Sequence, residues 1–155
     1  MKEFDYYIFI DYSEDLIGYI IISNANVKEI AFKLAKIKHF KTVKHPQAYL
    51  SAVKKRLENE KIKNLLLRFK IKRMKLNADL FSEIIEFINA NKDKNILISI
   101  DDNFYIYFMK IAGILKGRVN LHIIRESRLK KYSIEYKLNL IVDNFLAIER
   151  KKDIE

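Results

Sequence analysis

Five residues at positions 96–100, ILISI, restrict the possible folds of this chain more than any other feature of its sequence. A short, continuous apolar run is typical of a β-strand that is covered on both faces, as in a parallel or mixed sheet. Helical patterns flank this run, because the apolar residues between Leu80 and Ile88 share one helical face and a second helix is predicted over 104–115. The pattern therefore predicts an α/β fold with helices on both faces of the sheet.

Two apolar runs near the start of the chain predict a β-hairpin. They occupy residues 6–11 and 17–23, and a short polar turn separates them. Residues 27–35 alternate between apolar and other side chains and predict a third strand, although residues 30–37 also fit one face of a helix. Residues 119–124 alternate as well. We therefore expect a mixed sheet that opens with an antiparallel hairpin.

The rest of the chain has mainly helical patterns. The predicted helices cover residues 47–60, 80–88, 104–115 and 134–151. Their predicted terminal residues are Pro46, Asn77 or Asp79, Asn103, and Gly117. Residues 65–74 fit either a strand or a helical extension. With 155 residues, half of them hydrophobic, the chain is expected to form a single domain over 1–155, with a basic insert at about 38–75.

The positive charge of the chain is concentrated in one segment. The formal net charge is +10, but residues 28–75 contain sixteen Lys or Arg and only three acids, which is a net charge of +13. Such a segment is either an ordinary solvated surface or a surface that contacts the phosphates of RNA or DNA. The candidate phosphate-contacting residues are Lys54, Lys55, Arg56, Arg125, Arg128, Lys130 and Lys131.

Several classes of protein are excluded or disfavoured by composition. The absence of cysteine excludes disulfides, thiolate zinc sites and thiol nucleophiles, and the three histidines have no metal-binding spacing. Three glycines in the whole chain disfavour a nucleotide-binding loop. The first apolar run is too short for a signal peptide, and no run is long enough to span a membrane. We therefore expect a soluble, cytoplasmic protein.

Acidic residues occur at positions that predict a shared metal site. Asp11 and Asp101 each follow an apolar strand, and the carboxyl ends of parallel strands meet at one edge of a sheet. Asp143 is the only charged residue in the apolar stretch 138–148, and a carboxylate buried there needs a partner or a cation. Glu83 is expected to be the fourth acid, with Glu86 as its competitor. Oxygen ligands of this kind suit Mg²⁺ or Mn²⁺.

Each of these acids also has a more ordinary interpretation. Asp residues at strand ends are often turn or helix-capping residues, which is the preferred interpretation for Asp102. Asp143 can pair with a lysine or arginine at a helix surface. A glutamate of an amphipathic helix, such as Glu83 or Glu86, usually faces solvent.

The succession of these elements and acids resembles the ribonuclease H-like superfamily, including small archaeal domains of unknown function. The resemblance rests on YYIFID at 6–11, the hairpin return, a helix with Glu83, ILISID at 96–101, and a final helix with Asp143. It implies a nuclease that hydrolyses RNA or DNA phosphodiesters with two metal ions held by Asp11, Glu83, Asp101 and Asp143. The basic insert departs from the minimal fold. No histidine lies in the loop directly before the last helix, and Glu135 could partly replace it.

Two other functions compete with the nuclease. A catalytically inactive protein of the same fold could bind nucleic acid through its basic segment, with some of its nine Tyr and ten Phe available for stacking. A phosphate-handling α/β domain could use Asp101 and Asp102 as an acidic pocket, but the opening hairpin disfavours it.

Overall fold

The computed structural model describes residues 3–38, 40–115 and 120–154, and these form a mixed five-stranded sheet. The order of the strands across the sheet is β3-β2-β1-β4-β5. Strand β2 is antiparallel to both of its neighbours, and β1, β4 and β5 are parallel. The strands are β1 Tyr6–Ser13, β2 Leu16–Ser23, β3 Arg68–Arg73, β4 Ile96–Ile100 and β5 Leu121–Arg125. The predicted α/β class, the mixed sheet and the opening hairpin are therefore confirmed.

Five α-helices cover the two faces of this sheet. They are α1 Asn24–Lys33, α2 Pro46–Asn59, α3 Asn77–Ala90, α4 Asp102–Ile111 and α5 Ile134–Ile154. Short 3₁₀ turns lie between some of these elements, such as Phe40–Thr42 between α1 and α2 and Glu126–Arg128 between β5 and α5. Over the described ranges, no helix is both long and apolar enough to cross a bilayer.

Each face of the sheet has its own hydrophobic core. Tyr7 and Phe9 of β1 pack with α1, α2 and α5, on what we call the α5 face. Ile8 and Ile10 of the same strand pack with α3 and α4, on what we call the α3 face. Because successive side chains of a strand point to opposite faces, the position of a residue along its strand decides which core it joins.

Residues 27–35 belong mainly to a helix, so the predicted third strand there was wrong. Val27, Ile30 and Leu34 are buried at helical spacing, while Phe32, which the alternating pattern placed with them, is 83% exposed. The third strand of the sheet is β3, which lies in the basic segment. Residues 38–75 are therefore not simply an insert beside the sheet, because they end in one of its edge strands.

The predicted helix caps also need correction. Asp101, not Asn103, caps α4, because its Oδ1 accepts the Asn103 backbone N–H at 2.8 Å. The residue before α3 is Leu76, which provides no side-chain cap. Gly117, predicted to end α4, lies outside the described residues.

Gly18 allows α5 to lie close to β2. This residue pairs with Asp11 across the hairpin, on the α5 face. A Cβ atom at Gly18 would be 3.2 Å from Ile71 Cγ1 and 3.3 Å from Leu146 Cδ2, which is closer than ordinary contact. The missing side chain therefore lets α5 pack directly against the strands beside Asp11.

Candidate metal centre

Three acids lie at the same level of three adjacent parallel strands. Ile10 of β1 pairs with Ile100 of β4, and Ile100 pairs with Arg125 of β5. The next residues along the chain are Asp11, which lies within β1, and Asp101 and Glu126, which directly follow β4 and β5. The side chains of all three acids point toward the α5 face. Side chains two residues apart in a strand point to the same face, and the side chains two residues before the acids, those of Phe9, Ser99 and Ile124, point to the α5 face.

The carboxylates of these three residues converge. One carboxylate oxygen from each of Asp11, Asp101 and Glu126 lies within 4.8 Å of the other two. Asp143 reaches the same cavity from α5. The cavity has a volume of about 410 Å³, and Tyr12, Phe40 and Arg150 also line it. Asp11, Asp101, Glu126 and Asp143 thus line one cavity at this edge of the sheet, together with Glu14 of the hairpin turn.

Burial and mutual repulsion make two of these acids unusually weak. Asp11 is only 5% exposed. Burial, followed by the charges of Glu126 and Asp143, raises the pKa of Asp11 well above its usual range. Burial also raises the pKa of Glu126 from 4.5 to about 7, against the opposing hydrogen bond from Asn139. Without a cation, the cluster therefore resists full ionisation near neutral pH.

Hydrogen bonds from the surrounding chain orient each carboxylate. The Tyr12 backbone N–H donates to Asp11 Oδ1 at 2.8 Å, and the Phe40 backbone N–H donates to Asp143 Oδ2 at 2.9 Å. The Glu126 Oε1 atom accepts a hydrogen bond from Asn139 Nδ2 at 2.6 Å. Since such contacts fix the directions of candidate ligand oxygens, the cluster is held in place by the backbone and by α5.

Asn139 connects α5 to the cluster and leaves one polar atom unpaired. This asparagine is buried and lies one helical turn before Asp143. Within the described part of the chain, its Oδ1 atom is buried without a hydrogen-bond partner. The Asn139 amide donates to Glu126, and the candidate metal ligands of the cluster are all carboxylate oxygens. A donor set composed of oxygens fits a hard divalent cation.

Arg150 provides positive charge at the rim of the acidic cavity. Its guanidinium donates to Ser13 Oγ, lies 3.8 Å from Glu14 Oε1, and stands 5.6 Å from the centroid of the Phe40 ring. The side chain is thus anchored beside the carboxylates rather than among them. An arginine in this position is suited to contact an anionic group that enters the cavity.

Glu83 is not part of this cluster, contrary to the prediction. It lies on α3, which packs on the opposite face of the sheet from Asp143. Its carboxylate accepts a hydrogen bond from the Tyr19 hydroxyl at 3.2 Å and pairs with Lys72 at 3.2 Å. Burial, together with the charge of Glu83, raises the pKa of Tyr19 to about 12. Glu86, the competing candidate, is exposed on the same helix.

Glu126 takes the place predicted for Glu83. The sequence contains a signal for it, because Glu126 directly follows β5, whose residues 123 and 124 are apolar, just as Asp101 directly follows β4. The strand predicted at 119–124 ends one residue before the end of β5, at Arg125. Glu135 lies two turns before Asp143, in the first turn of α5, and is absent from the residues that line the cavity.

The predicted phosphate-contacting residues do not form one surface. Arg125 stacks on Tyr105 at 4.5 Å, and Arg56 donates to the Lys33 carbonyl at 3.1 Å. Lys54 borders a cavity of about 250 Å³ between α2 and α5. Lys55, Arg128 and Lys130 are exposed, and Lys131 lines a separate groove. The basic side chains therefore occupy several distinct locations.

Comparison of the chain with protein-family models, with curated proteins and with solved structures found no match. Its candidate function therefore follows from the geometry described above.

Proposed function

We propose that this protein is a divalent-metal-dependent nuclease of the ribonuclease H-like type, which hydrolyses phosphodiester bonds of RNA or DNA. The observation that carries the proposal is the convergence of Asp11, Asp101 and Glu126 within 4.8 Å, with Asp143 lining the same cavity. A chain with a net charge of +10 has ample positive charge to attract a polyanion to this acidic centre.

The arrangement of the chain supports the resemblance to the ribonuclease H-like superfamily. An antiparallel hairpin opens the sheet, parallel strands extend it on the side of β1, and a last helix brings an acid back to their carboxyl ends. Asp11, Asp101 and Asp143, three of the four acids that the resemblance implies, line one cavity, which supports the proposal. The fourth acid comes from the end of β5 instead of from the helix after β3, which distinguishes this chain from the predicted pattern.

Mg²⁺ or Mn²⁺ is the cofactor that the donor set favours. The candidate ligands are carboxylate oxygens, and Asp11 is close enough to its acidic neighbours to be electrostatically coupled to Glu126 and Asp143. A cation would offset the repulsion that weakens these acids. When bound, a metal pair lowers the pKa of a water molecule and stabilises the leaving oxygen of an in-line displacement. Asp11, Asp101, Glu126 and Asp143 are the residues that would hold the metal.

The side chains around the cluster have separate roles in this proposal. The backbone donors at Tyr12 and Phe40 hold the carboxylates of Asp11 and Asp143 in fixed directions. Arg150 is positioned to contact a phosphate at the rim. Tyr12 and Phe40 also form part of the cavity wall.

A cleavage assay with labelled RNA, DNA and an RNA–DNA hybrid tests the proposal. We expect cleavage with Mg²⁺ or Mn²⁺, none with EDTA, and loss of at least a hundredfold in rate for Asp11→Asn and Asp143→Asn. Circular dichroism checks that both variants remain folded. Glu83→Gln is the matched control, because it removes an acid from the other face. Metal-dependent cleavage that survives both aspartate substitutions would contradict the proposal.

A nucleic-acid-binding protein without catalytic activity is the alternative. The observation that favours it is a lysine-lined groove beside the acidic cavity, which does not require a metal to attract nucleic acid. This alternative predicts binding that weakens steeply with salt and does not change in Asp11→Asn. Binding of this kind, without cleavage of any of the three substrates, would establish it in place of the nuclease.

A further inference from the structure

A wide groove lies along the first half of α5. Its volume is about 800 Å³. Its lining includes four lysines, Lys36, Lys38, Lys131 and Lys137, together with Tyr132 and Tyr136. Among the described residues that line it, none is acidic. We call this surface the tyrosine–lysine groove. Its composition matches a polyanion that also carries flat, apolar groups.

Tyr132 is displayed to solvent in an unusual way. Its side chain is 78% exposed, and its φ angle is 71°, in the left-handed region. It occupies the third position of a tight turn, in which the Ser133 N–H donates to the Lys130 carbonyl at 3.0 Å. Glycine or asparagine normally takes a position of this kind. A bulky residue held there with an exposed ring, whose centroid lies 5.4 Å from Lys131 Nζ, points to a role in recognition rather than in packing.

The groove and the acidic cavity lie on the same stripe of α5. Tyr136 and Leu140 line the groove, and Asp143, Ala147 and Arg150 line the cavity. Their spacings of four, three, four and three residues place them on one face of the helix. Tyr136 and Asp143 are seven residues apart, which is roughly 10 Å along the helix axis. A chain-like ligand could thus extend from one site to the other.

The segment beside α5 lines both sites. Lys38 contributes to the groove, and its carbonyl accepts a hydrogen bond from Asn144 Nδ2 at 2.9 Å. Phe40 contributes to the cavity, and its backbone N–H donates to Asp143. Tyr49 strengthens this anchoring, since its hydroxyl bonds to the backbone of Lys38 through both N–H and C=O. Both sites therefore share a wall that is fixed to α5.

We propose that the tyrosine–lysine groove binds single-stranded nucleic acid, with an unpaired base stacked on Tyr132, and directs the strand toward the acidic cavity. The substrate class rests on the proposed function. An exposed aromatic ring can stack only with a base that is not paired inside a duplex, while the lysines contact the phosphates. The groove thereby selects single-stranded over double-stranded substrates.

Equilibrium binding of labelled 12-nucleotide RNA and DNA strands in EDTA tests this proposal, because metal-dependent cleavage is then absent. We expect Tyr132→Gly to weaken binding about tenfold, since base–aromatic stacking is lost while glycine keeps the left-handed backbone. Tyr132→Phe should bind like the wild type. A strand with abasic sites throughout should be insensitive to Tyr132→Gly. Tyr107→Ala, which removes an exposed tyrosine on the α3 face, is the matched control.

The lysines are tested by salt dependence. In Lys131→Gln/Lys137→Gln, the slope of log affinity against log salt should become shallower by about 1.4, which is the loss of two single-strand phosphate contacts. Lys110→Gln, on α4, should leave the slope unchanged. The RNA and DNA arms identify which strand is preferred.

The outcomes separate this proposal from the nuclease proposal. Wild-type affinity in Tyr132→Gly, or equal affinity for a duplex or for an acidic peptide of the same charge, would overturn the groove proposal even if the protein cleaves nucleic acid. Tyr132-dependent binding without cleavage under any metal condition would support the groove and refute the nuclease.

Discussion

Glu126→Gln should stabilise the metal-free protein at alkaline pH. The folded environment raises the pKa of Glu126 from 4.5 to about 7, chiefly through burial. Because the folded state binds this proton more tightly than the unfolded state, its stabilising contribution is complete below pH 4.5 and is lost as the pH rises through 7. Glutamine resembles the protonated acid at every pH. Glu126→Gln therefore keeps, at alkaline pH, the stability that the wild type loses when Glu126 ionises.

The size of this effect follows from the shift in pKa. A pKa difference of about 2.5 units corresponds to a change on the order of 3 kcal/mol in the free energy of unfolding. For a chain of this length, such a change raises the melting temperature by roughly 6–12 °C. We expect Glu126→Gln to melt at this higher temperature at pH 8, and to melt near the wild-type temperature at pH 4.5.

Thermal denaturation in EDTA, followed by circular dichroism from pH 4.5 to 8, measures this difference. Glu86→Gln is the matched control, because Glu86 is exposed on α3 and its replacement should change little. Added Mn²⁺ should reverse the order at pH 8, since a ligand of the folded state stabilises the wild type more than a variant with one fewer carboxylate. A difference between wild type and Glu126→Gln that is constant over the whole pH range would refute the reasoning.

Three further predictions test the packing around the centre. Gly18→Ala should lower the free energy of unfolding by about 1–3 kcal/mol in urea titrations, because the added methyl group overlaps Leu146 and Ile71; an unchanged value would contradict the close packing of α5. Glu83→Gln should lower the free energy of unfolding by less than about 1 kcal/mol and leave the metal affinity, measured by calorimetry, unchanged. A weaker metal affinity in this variant would place Glu83 at the metal centre. Ile30→Ala should lower the free energy of unfolding by about 2–5 kcal/mol, and Phe32→Ala should lower it by less than about 0.5 kcal/mol. A larger loss for Phe32→Ala than for Ile30→Ala would favour the predicted strand instead.

The acids that follow strands could be predicted because their positions depend on local sequence. Asp11 and Asp101 end apolar runs whose length and composition indicate buried strands, and neighbouring parallel strands bring such ends together. Asp143 was identified by its isolation in an apolar helix. For these three residues, the pattern within ten or so residues contains the necessary information.

The identity of the fourth acid depends on which face of the sheet each helix covers. Glu83 and Asp143 are both on helices that pack against the sheet, but α3 and α5 lie on opposite faces. Helical periodicity shows which side of a helix is apolar, and it does not show which face of the sheet that side meets. Glu126 joins the cluster because β5 lies next to β4 in register.

Sequence alone determined the strands β1, β2 and β4, the positions of Asp11 and Asp101 at the ends of two apolar runs, and the isolation of Asp143 in an apolar helix. Those features depend on burial periodicity and on the cost of an isolated charge, which act over short segments. Tertiary structure decided the helical state of residues 24–33, the exclusion of Glu83 and the inclusion of Glu126. The physical reason is that these outcomes depend on contacts between segments far apart in the chain, where packing against a specific face overrides local pattern.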